Sequence, residues 1–174
     1  MKKMIALLLT SIFLIGCQDP KVETEQEKVS NVDTRTVYES NSKPRYIQLH
    51  LKEVDYGLNP ILLSYCWNED LANCPTELKI LPDEDTLDGQ KRFILPPNTN
   101  IPFIIDSDPQ KTLPFPNNIE LFLVEDEALT PVTITNDSFT LPQEEGSYTY
   151  VFKTTYNEDI KGIAFYGFHL RVRN

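Results

Sequence analysis

Residues 148–172 read Tyr148-Thr149-Tyr150-Val151-Phe152-Lys153-Thr154-Thr155-Tyr156, a polar break through Asn157, Glu158 and Asp159, and then Gly162-Ile163-Ala164-Phe165-Tyr166-Gly167-Phe168-His169-Leu170-Arg171-Val172. Aromatic and β-branched residues dominate both runs, and such residues fit a pleated, half-buried surface. A period of two puts Ala164, Tyr166, Phe168, Leu170 and Val172 on one face of the last strand. Phe165, His169 and Arg171 take the other. The first set is the expected buried face. Upstream, Asn136-Asp137 turns into Ser138-Phe139-Thr140-Leu141-Pro142, and Glu144-Glu145-Gly146 leads into the penultimate strand.

The same pattern extends back to Arg45. Short β-rich runs at Tyr46–Leu51, Ile61–Trp67, Glu77–Leu81, Pro102–Asp106, Ile119–Val124 and Val132–Thr135 are separated by Pro, Asn, Asp and Gly. The chain's 13 prolines would break helices but cost little at strand ends and turns. Many short strands with turn signals between them predict an all-β antiparallel sandwich over residues 45–174. Gly146-Ser147-Tyr148 resembles the corner tyrosine of immunoglobulin-like sandwiches, whose hydroxyl bonds back to the preceding turn. The expected fold is therefore an immunoglobulin-like sandwich.

The N-terminus has a different composition. Met1-Lys2-Lys3 precedes an apolar run from Met4 to Ile15, interrupted by Thr10 and Ser11, and then Gly16-Cys17. The run is too short to span a bilayer as a helix and has the layout of an export signal. Leu14-Ile15-Gly16-Cys17 resembles the lipobox of bacterial lipoproteins. That resemblance implies a signal peptide over 1–16 and diacylglycerol on the Cys17 thiol, with further acylation (palmitate) anchoring the protein to the bacterial cell membrane from outside the cytoplasm. Two acyl chains, at about 0.8 kcal/mol per buried methylene, hold a protein stably where one does not. Residues 17–44 carry mixed charges and scattered valines with no period long enough to bury a face, so they read as a flexible tether. Its typical end-to-end distance is roughly 30 Å.

Length and composition set outer limits on function. A chain of 174 residues that is 40% hydrophobic and 24% charged holds one folded domain plus a tail. A net charge of −10 argues against nucleic acid as a partner, since phosphate repels such a surface.

With Cys17 lipidated, Cys66 and Cys74 remain, and an even pair on an exported protein is most simply a disulfide. A loop this short gains about 2.5 kcal/mol in the chain-entropy treatment. The bond would pin Trp67-Asn68-Glu69-Asp70-Leu71-Ala72-Asn73 as a surface loop. Zinc and dithiol redox chemistry both need closer cysteine spacings than this one.

Ser64-Tyr65-Cys66-Trp67-Asn68, Cys74-Pro75-Thr76-Glu77-Leu78, Phe139-Thr140-Leu141-Pro142, Glu145-Gly146-Ser147-Tyr148 and the closing Ala164–Leu170 strand together resemble a group of small uncharacterised lipoproteins of Gram-positive bacteria. The resemblance covers roughly residues 64–174. It implies lipoprotein identity and a β-sandwich and brings no activity with it. In those relatives the two cysteines stand closer and the penultimate strand is tryptophan-rich, where this chain has Tyr148, Tyr150 and Tyr156.

The chain carries none of the familiar catalytic signatures. The chain has no Gly-x-Ser-x-Gly elbow, no His-Glu-x-x-His, no phosphate-cradling glycine loop and no Gly-x-Gly-x-x-Gly. His50 and His169 read as exposed strand histidines without a placed nucleophile. Asp83, Asp85 and Asp88-Gly89 invite comparison with a calcium-binding EF-hand. Leu87 would occupy a ligand position there, and Ile94 replaces the closing glutamate, so a solvated acidic loop is expected.

No metal or cofactor is expected. Trp67 is read either as packing over the disulfide or as a recognition anchor. The expectation that follows is a non-catalytic binding module whose Trp67, Glu69 and Asp70 meet a protein or cell-envelope ligand with a cationic surface. An inhibitor or immunity-type protein acting on an envelope enzyme, an envelope hydrolase, and a structural role in the envelope are the alternatives.

Overall fold

The computed structural model describes residues 43–52, 56–106 and 113–174. The expected signal peptide, Cys17 and all but the last residues of the expected tether lie outside the described residues. Among these residues ten strands follow in chain order: β1 (Ile47–Leu51), β2 (Tyr56–Leu58), β3 (Ile61–Trp67), β4 (Phe93–Leu95), β5 (Asn100–Ile105), β6 (Asn118–Glu125), β7 (Ala128–Val132), β8 (Ser138–Thr140), β9 (Gly146–Asn157) and β10 (Lys161–Val172). They form an antiparallel β-sandwich. One sheet has the order β2-β1-β5-β8, and the larger one has the order β3-β10-β9-β6-β7. Among the described residues, the single parallel pairing sets β4 beside the C-terminal end of β10, where Phe93 opposes Leu170 and Leu95 opposes Val172.

The two inner faces meet through aromatic rings. Phe103 of β5 and Phe139 of β8 reach across to Tyr150, Phe152 and Phe168 of the larger sheet, with ring centroids 4.9 Å apart for Phe103–Phe152 and 5.4 Å for Phe139–Tyr150. Tyr150 stacks on Phe168 at 5.1 Å. The expected inward set of β10 (Ala164, Tyr166, Phe168, Leu170 and Val172) lies in this core. The corner tyrosine is also formed: the Tyr148 hydroxyl donates to the Glu144 carbonyl at 2.8 Å. With both central residues at positive φ, Asn136-Asp137 makes a tight turn closed by paired bonds between Thr135 and Ser138.

Several expectations need correction. The opposite face of β10 is not exposed, because Ile163 and Phe165 pack with Val151 and Cys74 in a second apolar cluster. Leu87 reaches the same face, where a Cβ on Gly167 would lie 2.9 Å from its side chain. Residues 68–92 therefore lie over the outside of the larger sheet as a partial third layer. His169 is buried beneath it at 8% exposure instead of exposed, whereas His50 faces solvent as expected.

Glu77–Leu81 forms no strand. It runs between Pro75 and Pro82, and among the described residues its backbone makes no hydrogen bond. The strand expected at Val132–Thr135 ends at Val132 and begins at Ala128, because Asp126-Glu127, both at positive φ, make a hairpin turn after β6. β2 and β4, three residues each, are too short to show a period.

Candidate functional site

The outer layer begins at the cysteine loop. Cys66 and Cys74 are joined at 2.09 Å between sulfurs with Cα atoms 5.6 Å apart. Within the loop, the Asn68 side chain accepts from the Asp70 N–H and the Asp70 carboxylate accepts from the Ala72 N–H. That cap starts the 3-10 turn Leu71–Asn73, as short acceptor side chains do at helix N-termini. The Asn68 N–H donates to the Lys161 carbonyl and ties the loop to β10. Leu71 packs inward, and Glu69 and Asp70 face solvent.

Trp67 does not pack over the disulfide. Neighbouring residues of a strand point to opposite faces, so Cys66 joins the outer cluster and the Trp67 ring joins Leu113, Tyr156 and Ile160 on the other side. Trp67, Gly162 and Tyr156 stand in one row across three strands. Having no side chain, Gly162 lets the indole lie over it and meet the Tyr156 ring edge-on at 5.0 Å. The expected trio is thus divided: Trp67 is half-buried in packing, and Glu69 with Asp70 form the solvent-facing part.

Beyond Cys74, segment 75–82 forms one wall of a groove of about 510 Å³. Phe122 and Phe165 contribute apolar surface from the sheet, and Glu127, Ala128 and Leu129 line the side nearest β7. Lys153 rises from the groove and pairs with Glu120 at 3.5 Å. Nothing in the sequence marked this groove, because its parts come from β6, β7, β9, β10 and the outer layer. The one available signal was the alternation Glu77-Leu78-Lys79-Ile80, which reads as a strand and has no partner strand.

The acidic turn is used locally. The Thr86 N–H and hydroxyl both donate to Asp83 Oδ1, at 2.7 and 2.6 Å, and these bonds hold the Asp83 carboxyl below its ordinary value. Asp88 accepts from the Gly89 N–H at 3.0 Å. Among the described residues no group of three or more His, Cys, Asp and Glu side chains converges as a metal site would require.

His169 sits under this turn, with Nδ1 3.1 Å from the Thr149 hydroxyl, and its backbone N–H donates to the Gln90 side chain. Burial lowers its pKa from the ordinary imidazole value, Glu84 opposes that shift, and Arg92 and Arg171 add to it. Burial also raises the Tyr150, Tyr156 and Tyr166 phenols, so all three remain protonated at neutral pH.

At the root of the domain, buried Arg45 donates to the Leu113, Pro114 and Asp106 carbonyls. Its own carbonyl accepts from the Tyr166 hydroxyl at 2.6 Å, and its guanidinium lies 4.3 Å from the Phe115 ring centroid. The point where the N-terminal segment joins the sandwich is thereby fixed. No family model, no curated protein and no solved structure matches this chain.

Proposed function

We propose that this chain is a non-catalytic binding module anchored to the outer side of a bacterial cell membrane by lipid on Cys17, holding its sandwich on the 17–44 tether. Its disulfide-pinned loop offers Glu69 and Asp70 to a protein or cell-envelope ligand with a cationic surface. One observation carries the reading. The segment from Cys66 to Cys74 is covalently closed, internally capped by Asp70 and anchored through Leu71, while its two adjacent carboxylates face outward. Rigid charge of one sign confers partner choice and fast, salt-sensitive association. A disulfide in this position also fits a protein held in an oxidising compartment.

Two measurements test the two halves. Cys17→Ala should move the protein from the membrane to the soluble fraction, and a variant still sedimenting with membranes would exclude the lipid anchor. Cross-linking in intact cells should then compare the native chain with Glu69→Gln, Asp70→Asn. Asparagine caps the turn as well as aspartate does, so this pair removes charge without removing structure. A cross-linked partner lost from the variant and weakened by raised salt supports the reading. A partner retained at full yield by the variant would take the interface away from this loop.

A further inference from the structure

We infer that the outer face of the smaller sheet rests on the surface of the bilayer that holds the lipid anchor, with Tyr46 and Ile104 at the depth of the headgroups and the acidic outer layer turned away. The inference rests on the reading of Cys17 as the anchor and deepens it, since it gives the tethered domain an orientation. Three observations carry it.

The first is a sheet face without charge. Ile47 and Leu49 of β1, Phe103 of β5 and Phe139 of β8 point into the core, so the residues that alternate with them point outward. Gln48, His50, Pro102, Ile104 and Ser138 stand at such positions, with Tyr46 just ahead of β1. The outward positions of β1, β5 and β8 hold no Asp, Glu, Lys or Arg; Lys52, Asp106 and Asp137 lie beyond the strand ends. In a chain that is 24% charged, a face of three strands without one charged side chain has the composition of a covered surface.

The second is where its apolar residues stand. Tyr46 is 45% exposed and Ile104 47%. Ile104 lies opposite Gln48, which places Tyr46 on the diagonal from it across the same face. Exposed Phe115 lies against the guanidinium of Arg45, the residue before Tyr46. This is the end at which the N-terminal segment enters the domain, so the anchor and the apolar side chains meet the bilayer from one side. A tyrosine suits that boundary, where its ring and its hydroxyl are both accommodated.

The third is the placement of the carboxylates. Those from Glu69 to Asp88 ride on residues 68–92, over the outside of the larger sheet. Stacked sheets stand about 10 Å apart, and the outer layer lies further out again. A Debye length of about 8 Å therefore screens these carboxylates from whatever the smaller sheet touches. Lying the other way up, the domain would press them against the negative surface potential of an anionic leaflet. A few apolar side chains hold a bilayer weakly from free solution, and the tether supplies the effective concentration that makes the contact persist.

The test places the lipid-bearing full chain in vesicles of phosphatidylcholine and phosphatidylglycerol with brominated acyl chains, which quench an indole at the headgroup boundary. Trp67, the chain's one tryptophan, sets the baseline. Ile104→Trp adds an indole to the uncharged face and Asp85→Trp adds one to the acidic turn, both at exposed positions. The added emission of Ile104→Trp should fall by roughly half or more, as for side chains seated in the interface, and that of Asp85→Trp should hardly change. Gln48→Glu, Thr140→Glu, which charges the same face, should reduce the quenching of Ile104→Trp roughly twofold or more.

A chain that floats with the vesicles while Ile104→Trp stays bright would refute this inference and leave the anchor standing. Failure to float would refute the anchor and this inference with it. Equal quenching of the two added indoles, or quenching indifferent to the charged pair, would overturn the orientation. So would a dimer in detergent that Gln48→Glu, Thr140→Glu converts to monomer, which would assign the face to a second copy of this chain.

Discussion

Gly162→Ala tests whether the Trp67–Gly162–Tyr156 row is as tightly seated as it looks. A methyl group at this position would lie 2.5 Å from Trp67 Cζ3 and closer still to Cε3 and to the Cys66 carbonyl oxygen. None of these can yield as a flexible side-chain end would. The indole is backed by Tyr156, Leu113 and Ile160, and the carbonyl belongs to the ladder between β3 and β10. Overpacking costs typically 1–3 kcal/mol, and the rigidity of both neighbours places this site at the upper end, about 3 kcal/mol. For a domain of this size that lowers Tm by roughly 10 °C.

Ordinary strand propensity has the opposite sign, since alanine in place of a strand glycine stabilises by roughly 0.5–1 kcal/mol when space allows. Thermal unfolding followed by circular dichroism separates the two. An unchanged or raised Tm for Gly162→Ala would refute the close-packing account. In a Trp67→Ala background the cost of Gly162→Ala should shrink, leaving only the contact with the Cys66 carbonyl. A cost equal to that in the native background would show that the indole is not the obstacle.

Three further outcomes are expected. Tyr148→Phe removes the bond to the Glu144 carbonyl and should cost about 0.5–1.5 kcal/mol in urea unfolding, with m unchanged. His169 has a folded pKa below its unfolded value of 6.5, so the unfolded chain binds the proton more readily; its contribution to stability should be present at pH 7.5 and fall as pH drops through 6.5 toward the folded value. His169→Gln should flatten that part of the stability–pH curve, and identical slopes would refute it. Reducing the Cys66–Cys74 bond should destabilise by about 2.5 kcal/mol in the chain-entropy treatment and expose the hydrogen-bonded amides of 70–74 and 86–90 to exchange before those of β9 and β10.

The sandwich was legible because β9 and β10 are long and aromatic-rich, and a period of two over that length leaves one choice of inward face. Tyr148 was legible as a corner because the Gly146-Ser147-Tyr148 spacing carries its own local geometry. The outer layer was not legible. Alternation in β10 says which face is more apolar, but not that a segment some eighty residues earlier returns to cover the other. His169 was misjudged for this reason, since its neighbours along the strand give no sign of Leu87, Gln90 and the acidic turn above it. Packing of Trp67 over the disulfide failed for a different reason: its adjacency to Cys66 in sequence means opposite sides of the sheet in a strand. Glu77–Leu81 has strand composition, but strand composition does not supply a neighbour to pair with.

The outer layer carries charge where the core carries none. The aromatic core lies between the two sheets and contains none of the carboxylates at Glu69, Asp70, Glu77, Asp83, Glu84, Asp85 or Asp88. Those carboxylates all sit on residues 68–92, where the apolar anchors are few: Leu71, Cys74, Leu78 and Leu87. Ordering a backbone costs about 1–2 kcal/mol per residue, so a layer with few apolar anchors needs covalent and hydrogen-bonded ties as well. The disulfide, the Asp70 and Asp83 caps and the Leu87 seat on Gly167 are the devices that offset this cost. The layer in turn covers Ile163, Phe165 and His169 on the outer face of the larger sheet and leaves a fixed arrangement of carboxylates facing outward.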